Sequence, residues 1–161
     1  MQIRRASLVD ASAIATIFNT YLGQASMVLE PRAAEDFRAL ISPMDAYRAA
    51  MIVAESEEEI LGYASVKPWS PRRGYYHAGE VSIFLAPAAT GKSVGTALYT
   101  ALWPHCRRLE YDHLTARIFG TNAGSIRFHE QQGFSLVGVQ RGIGLVEGER
   151  IDSVIMEKLL R

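Results

Sequence analysis

The chain has 161 residues, of which 48% are hydrophobic and 21% charged, and this composition is typical of one globular domain. Seventeen basic and 17 acidic residues give a net charge of zero, which excludes the positive field that attracts nucleic acid or anionic membranes. We therefore expect no nucleic-acid partner and no membrane partner. A single cysteine, Cys106, excludes an internal disulfide framework and is typical of a reducing compartment.

The N-terminal residues contain no uninterrupted apolar run before Asp10, so we expect no signal peptide. No stretch of the chain approaches the roughly 18 apolar residues that cross a membrane. We therefore expect a soluble, cytoplasmic protein with a single domain over residues 1–161.

The first part of the chain predicts one strand and two helices. Residues 2–5 predict a short strand, and Ser7 is a typical N-cap for the helix behind it. Apolar residues then recur at helical spacing until Gly23. A second helix is predicted over residues 31–43, because proline is favoured in a first helical turn.

The middle of the chain predicts strands. Residues 51–54 and 60–66 flank an acidic run at 55–59, which is typical of a solvated hairpin turn because like charges repel. Residues 67–74 predict a long loop. Apolar and polar residues alternate over 80–85, which predicts a strand with one buried face.

The last part of the chain alternates helices with strands. Helices are predicted over 93–109 and 122–132, with a strand over 113–119 between them and two strands around 147–149. Pro104 predicts a kink or an early end in the first of these helices. The whole pattern predicts an α/β fold with a mixed (α+β) sheet of about seven strands and helices on both faces.

The junction between the strand at 80–85 and the following helix has the features of an anion site. Gly91 and Gly95 allow close approach to the backbone, Lys92 adds charge, and the helix start offers unpaired N–H groups. An ordinary strand-to-helix connection is the alternative. A P-loop is excluded, because Ala86 stands where that motif requires glycine.

This junction resembles the acetyl-CoA pyrophosphate loop of the GNAT superfamily of N-acetyltransferases. The usual pattern is Gln/Arg-x-x-Gly-x-Gly/Ala, and here it is Thr90-x-x-Ser93-x-Gly95. The resemblance implies a mostly antiparallel sheet with one splayed parallel pair, and acetyl-CoA as co-substrate. The departures at Thr90 and Ser93 keep open an alternative, a non-catalytic regulatory module that binds CoA.

A second segment, Asn122 to Phe134, is similar to the late helix of the same superfamily, which an Asn opens and a Gly-aromatic pair closes. The resemblance implies that Asn122 and Ser125 lie against the pantetheine arm. It also implies that His129 returns a proton to the departing CoA sulfur. The alternative is a core histidine whose ring nitrogens are satisfied within the protein.

A third segment, from Pro68-Trp69 to the strand that Glu80 opens, resembles the phosphinothricin acetyltransferase branch. In that branch the glutamate is the general base. An amine attacks a thioester only when it is neutral, and a partly buried carboxylate with a raised pKa can accept its proton. The alternative is a solvent-facing Glu80 at the entrance of the strand.

The residues expected to contact the acceptor differ from those of the phosphinothricin acetyltransferase branch. Relatives that acetylate amino-acid analogues carry Arg and Thr shortly before the base, whereas this chain has Tyr75-Tyr76-His77-Ala78-Gly79. Arg72 is a candidate replacement for this carboxylate anchor, with a solvated surface charge as the alternative. Trp69, Tyr75 and Tyr76 either shape the acceptor pocket or cap the sheet.

The resemblance therefore implies an enzyme that moves an acetyl group from acetyl-CoA to a primary amine of a small molecule, by direct attack. An amino acid or an analogue such as phosphinothricin or methionine sulfoximine is the expected acceptor; a polyamine, an aminoglycoside or a protein amine is the alternative. Relatives are often homodimers, so a second copy is among the expected partners.

No metal is expected, because His105, Cys106 and His113 lack zinc-ligand spacing. The expected cofactor-binding residues are Ile83, Phe84, Leu85, Thr90, Gly91, Lys92, Ser93, Val94, Gly95, Thr96, Asn122, Ser125 and Phe128.

Overall fold

The computed structural model describes residues 1–57 and 59–161, and its strands form one seven-stranded sheet. Glu58, inside the predicted acidic turn, lies outside the described residues. The predicted α/β class and element order are confirmed. The strands are β1 (Gln2–Arg5), β2 (Ala50–Ser56), β3 (Glu59–Pro68), β4 (Ala78–Leu85), β5 (His113–Phe119), β6 (Ser135–Val146) and β7 (Glu149–Leu159), and the helices are α1 (Ala11–Asn19), α2 (Ala34–Ile41), α3 (Val94–Arg108) and α4 (Ala123–Gln131).

The sheet has the strand order β1-β2-β3-β4-β5-β7-β6, and its one parallel pair among the described residues is β4 with β5. These two strands pair only over Ala78–Glu80 and His113–Thr115. Beyond Glu80 they diverge, while β4 keeps its partner β3 and β5 keeps its partner β7. The predicted splayed parallel pair is therefore present at the centre of the sheet.

Side chains alternate along β4, so successive residues lie on opposite faces of the sheet. Val81, Ile83 and Leu85 face the core that α3 covers, whereas Phe84 packs in the core under α1 and α2. Glu80 shares the parity of Phe84 and therefore projects from the same face of the sheet. Helices cover both faces, as the sequence predicts.

Two helix boundaries, and the early end considered at Pro104, differ from the sequence prediction. Helix α1 ends at Asn19, before Gly23, because the chain turns around the Tyr21 carbonyl, which accepts three backbone N–H bonds. Helix α2 begins at Ala34, because the Asn19 side chain bonds both backbone groups of Arg32. Helix α3 continues through Pro104 to Arg108, with the proline on its exposed side.

Cys106 is fully buried in the main core, and burial raises the pKa of its thiol to about 12. This placement is that of a small apolar core residue. None of the described helices is both long and apolar enough to cross a membrane. Within residues 1–57 and 59–161, no three His, Cys, Asp or Glu side chains are grouped as metal ligands.

Candidate active site

The divergence of β4 and β5 opens a cavity of about 550 Å³ between the end of β4 and the first turns of α3 and α4. Its walls contain every expected cofactor-binding residue except Lys92, whose side chain is exposed outside the lining. The lining residues are Tyr21, Ala25, Ile83, Phe84, Leu85, Thr90, Gly91, Ser93, Val94, Gly95, Thr96, Asn122, Gly124, Ser125, Phe128 and Gln131.

The start of α3 forms the polar end of this cavity. The first intrahelical bond runs from the Ala97 N–H to the Ser93 carbonyl, so the preceding N–H groups have no partner within the helix. These N–H groups and the helix dipole favour an anion. Gly91 and Ser93 both adopt a left-handed backbone, with φ of 72° and 61°. Ser93 thus keeps the backbone conformation that glycine favours at its position in the pattern.

Close contact between α3 and α4 shapes the rest of this cavity. A Cβ atom at Gly95 would lie 3.1 Å from the Phe128 ring, so only glycine permits this approach without movement. The Asn122 side chain caps α4 by accepting a hydrogen bond from the Ser125 N–H at 3.1 Å. The Asn122 cap and the close Gly95–Phe128 contact thus place the start of α4 beside α3.

Tyr21 is the main cavity residue that sequence reasoning missed. Helical periodicity assigned Tyr21 to the apolar stripe of the first helix, but α1 ends before it. Its hydroxyl donates a hydrogen bond of 2.6 Å to the Leu85 carbonyl at the end of β4. Burial raises the pKa of Tyr21, which keeps this hydroxyl protonated as a donor. No local signal in the sequence indicates this contact, because it joins residues 64 positions apart.

A narrow gap of about 80 Å³ lies between the diverging strands. This gap shares Ile83, Phe84, Asn122 and Ser125 with the first cavity. On the opposite side it shares Arg117 with a second cavity of about 610 Å³. The three spaces therefore lie next to one another where β4 and β5 separate, with lining residues in common.

The second cavity lies on the face of the sheet from which Glu80 projects. Three of the expected residues line it: Trp69, Tyr75 and Glu80. The Trp69 and Tyr75 rings pack edge to face at 4.8 Å and form one wall. The sequence did not single out Arg117 or Glu157 for this cavity. The full lining is Trp69, Tyr75, Ala78, Glu80, His113, Thr115, Arg117, Val137, Gln140, Ile155 and Glu157.

Two residues expected to contact the acceptor lie outside this lining. The Tyr76 ring stacks on the Arg48 guanidinium, 3.5 Å from its centroid, and its hydroxyl donates to Glu110 at 2.8 Å. Tyr76 therefore ties its loop to Arg48 and Glu110, which differs from both pocket lining and sheet capping. Arg72 does not contribute to the lining, and its backbone N–H donates to Ser70 Oγ.

The Glu80 side chain is 11% exposed, which excludes the alternative of a solvated glutamate at the entrance of the strand. One carboxylate oxygen lies 2.7 Å from an Arg117 guanidinium nitrogen. The other lies 3.5 Å from the Lys67 ammonium nitrogen on β3. Both cations are more than half exposed. The partial burial that the sequence predicts is present, but the two cationic neighbours are visible only in the tertiary structure.

His129 is 3% exposed and lies among aromatic rings at the base of the gap. Its Nδ1 is 2.8 Å from the Ser125 carbonyl, and its Nε2 is 2.8 Å from the Tyr99 hydroxyl. Burial lowers the pKa of His129 and favours the neutral ring, which donates from Nδ1 and accepts at Nε2. This environment is that of the satisfied core histidine that the sequence left as an alternative.

The chain matches the family model described as an acetyltransferase (GNAT) domain over residues 3–155. The chain belongs to the GNAT acetyltransferase family. A phosphinothricin N-acetyltransferase of Streptomyces coelicolor is 28% identical to this GNAT chain over 165 residues, which cover 99% of this chain and 96% of the relative.

Solved GNAT structures share the whole architecture. A ribosomal-protein-alanine N-acetyltransferase from Brucella melitensis superposes with a TM-score of 0.94 at 30% identity, covering 99% of this chain and 100% of that one. A phosphinothricin acetyltransferase from Sinorhizobium meliloti in complex with acetyl-CoA has a TM-score of 0.91 at 28% identity, covering 99% and 88%. This chain is accordingly an acetyltransferase with acetyl-CoA as its co-substrate.

The residues of the first cavity, at the start of α3, fit acetyl-CoA. The N–H groups at the start of α3 suit the pyrophosphate, and the apolar walls formed by Ile83 and Phe128 suit the pantetheine arm. Beyond Glu80, the β5-facing backbone groups of β4 have no strand partner among the described residues. They are available to the amide groups of an extended ligand.

Replacing Ser93 by Gly should raise the free energy of unfolding by about 1 kcal/mol, because a left-handed backbone costs a non-glycine residue about 1–2 kcal/mol. Chemical denaturation measures this change. Gly91→Ala is the matched control: its new Cβ would meet nothing within 4 Å, so only backbone strain acts, and stability should fall. A Ser93→Gly variant that is less stable than the parent would contradict the strain described here.

Replacing His129 by Phe should lower the free energy of unfolding by about 1–3 kcal/mol, because it removes the hydrogen bonds of both ring nitrogens and leaves the buried Tyr99 hydroxyl without an acceptor. Adding Tyr99→Phe should recover part of this loss. The pH dependence of kcat should keep its shape in the single variant. Disappearance of its alkaline limb, in a variant that folds normally, would instead support the proton-donor role that the resemblance implies.

Proposed function

We propose that this GNAT enzyme acetylates a primary amine of a small molecule, an amino acid or a close analogue, with Glu80 as general base. The observation that carries the proposal is the position of the Glu80 carboxylate. It lines the second cavity, which shares Arg117 with the narrow gap, and the gap shares Ile83 and Phe84 with the cavity that fits acetyl-CoA.

Acetyl-CoA supplies an activated acetyl group that an amine can attack directly. Glu80 first attracts the acceptor as an ammonium ion and then accepts its proton, which leaves a neutral nitrogen. Free α-amino groups have a pKa of about 8, so most acceptor molecules arrive charged near neutral pH. An ionised carboxylate next to the bound amine is thus required both for binding and for activation.

The open edge of β4 would hold the thioester. N–H groups near Phe84 and Leu85 are proposed to donate to the thioester carbonyl oxygen and stabilise the negative charge that develops there. Tyr21 supports this arrangement, because its bond to the Leu85 carbonyl holds the strand end in place. These backbone N–H groups would therefore supply the electrostatic stabilisation in the proposed reaction.

We assign His129 a positioning role in place of the proton transfer that the resemblance implies. Its neutral ring links Tyr99 on α3 to the Ser125 carbonyl on α4. This link holds the first turn of α4 against the cofactor cavity. The same contacts occupy both ring nitrogens, so in this proposal the C–S bond breaks to release CoA as a thiolate, which takes its proton from water.

A protein N-terminal amine is the second candidate acceptor. The observation in its favour is the similarity to the Brucella melitensis enzyme named for ribosomal-protein alanine. An amino-acid analogue and a peptide with an N-terminal alanine, assayed side by side for release of CoA, separate the two candidates. Faster acetylation of the peptide would contradict the proposed acceptor class, and no release with either would contradict catalysis itself.

Replacing Glu80 by Gln should lower kcat by about 10²–10⁴-fold, because the neutral amide cannot accept the ammonium proton. The dissociation constant for acetyl-CoA, measured by calorimetry, should be unchanged. Glu35→Gln, an exposed carboxylate on α2, is the control and should leave kcat unchanged. Parallel losses of kcat and acetyl-CoA affinity would mean that Glu80 is structural.

The proposed enzyme also forms a homodimer through the edge strand β6. Leu136, Val139, Ile143 and Leu145 on this strand expose between 46% and 62% of their surface. Strand β6 is also the last strand of the sheet, so its outer backbone groups have no strand partner among the described residues. A second copy would cover both the apolar side chains and the open edge.

Replacing Leu136 by Glu should shift the dimer to monomer, because the charge would be buried at the interface or repelled from it. Light scattering after size-exclusion chromatography measures the mass. Val9→Glu, at an 84% exposed position outside the sheet, should leave the mass unchanged. A parent chain that is monomeric at high concentration would contradict the dimer.

A further inference from the structure

Arg117 lies where the gap between the diverging strands meets the second cavity, and it lines both. It lies on β5 two residues beyond Thr115, which is the last residue that pairs with β4. The strands separate at this point, so the Arg117 side chain spans the space to Glu80 on β4, 2.7 Å away. This places a guanidinium at the site where the acceptor meets the thioester.

The Arg117 guanidinium has N–H donors that are available to a ligand. Its side chain is 58% exposed, and its one recorded ion pair in the described chain is with Glu80. A guanidinium carries five N–H donors in a planar fork that matches a carboxylate or phosphinate. Only the Glu80 side of this ion pair is buried, so an acceptor ammonium that replaces the guanidinium there would free the exposed Arg117 side chain without leaving the carboxylate unpaired.

The neighbouring charges match a zwitterion. Glu80 offers a carboxylate and Arg117 a guanidinium within one cavity, so an ammonium and an adjacent anion can bind side by side. The other titratable side chains of this cavity, His113 and Glu157, contact each other at 2.9 Å. Lys67 lies on the opposite oxygen of Glu80 and does not line the cavity.

We propose that Arg117 binds the carboxylate of the acceptor, and that the enzyme therefore selects amines with an anionic group one carbon away. This inference rests on the proposed function and makes its acceptor class specific. Arg117 supplies from β5 the anchor that the segment 75–79 lacks. The acceptor ammonium takes the place of the guanidinium at Glu80, and the acceptor carboxylate then holds the guanidinium in its new position.

The test compares two acceptors, L-methionine sulfoximine and its carboxamide, on the parent enzyme and on Arg117→Gln. The variant should lose about 10–100-fold in kcat/KM for the amino acid, the range expected for a charge-assisted pair of hydrogen bonds. It should lose less than about threefold for the carboxamide. Because each loss is a ratio for one acceptor, the different basicities of the two amines cancel.

Two further variants sharpen the result. Arg117→Lys keeps the charge without the planar fork, so it should recover part of the amino-acid activity. Arg38→Gln on α2, an exposed arginine that lines none of the three spaces, is the matched control and should change neither ratio. The dissociation constant for acetyl-CoA should be the same in all four proteins.

Equal losses for the two acceptors would overturn the inference, because Arg117 would then act on Glu80 and not on the acceptor. A parent enzyme that acetylates the carboxamide at least as fast as the amino acid would also overturn it, while leaving the proposed acetylation of small amines intact. Binding of acetyl-CoA without CoA release for any amine would overturn both the inference and the proposed function.

Discussion

The active site of this GNAT enzyme depends on the short pairing between β4 and β5. Only three residue pairs join them before they diverge, yet each strand keeps a continuous ladder on its other side, β4 with β3 and β5 with β7. These outer ladders hold each strand extended, so the inner edge of β4 can stay open without collapse. Open backbone groups at the centre of a sheet are costly unless they face solvent or a ligand. The same opening therefore creates the cofactor cavity, the gap and the access to the acceptor cavity.

The two sides of the sheet use different chemistry. On the cofactor side, backbone N–H groups at the start of α3 and along β4 provide the polar contacts, so side-chain departures such as Thr90 and Ser93 leave the donors in place. Ser93 even keeps a left-handed backbone, with φ of 61°. On the side where we propose that the acceptor binds, the polar groups are side chains, with Glu80 and Arg117 2.7 Å apart. In this proposal, acceptor specificity depends on individual residues, while acetyl-CoA binding depends on the backbone.

His129 and Tyr76 show how environment decides between roles that one sequence pattern allows. A histidine near the end of a helix is compatible with proton transfer or with packing. Contacts to Tyr99 and to the Ser125 carbonyl, with 3% exposure, give it the environment of a packing residue. Tyr76 follows Tyr75 directly, yet only Tyr75 lines the acceptor cavity, because the Arg48 guanidinium holds the Tyr76 ring against the loop. Tyr99 and Arg48, the two partners from other elements, are both distant in sequence from the residues that they contact.

The sequence alone determined the element order, the loop that begins α3, the cap at Asn122 and the face from which Glu80 projects. These features depend on periodicity, capping and left-handed turns, which act within a few residues. The tertiary structure alone decided that Tyr21 bonds the end of β4, that Glu80 lies between Arg117 and Lys67, and that His129 is buried. These contacts join residues between 13 and 64 positions apart. These residues come together where β4 and β5 diverge, and no local sequence pattern encodes that geometry.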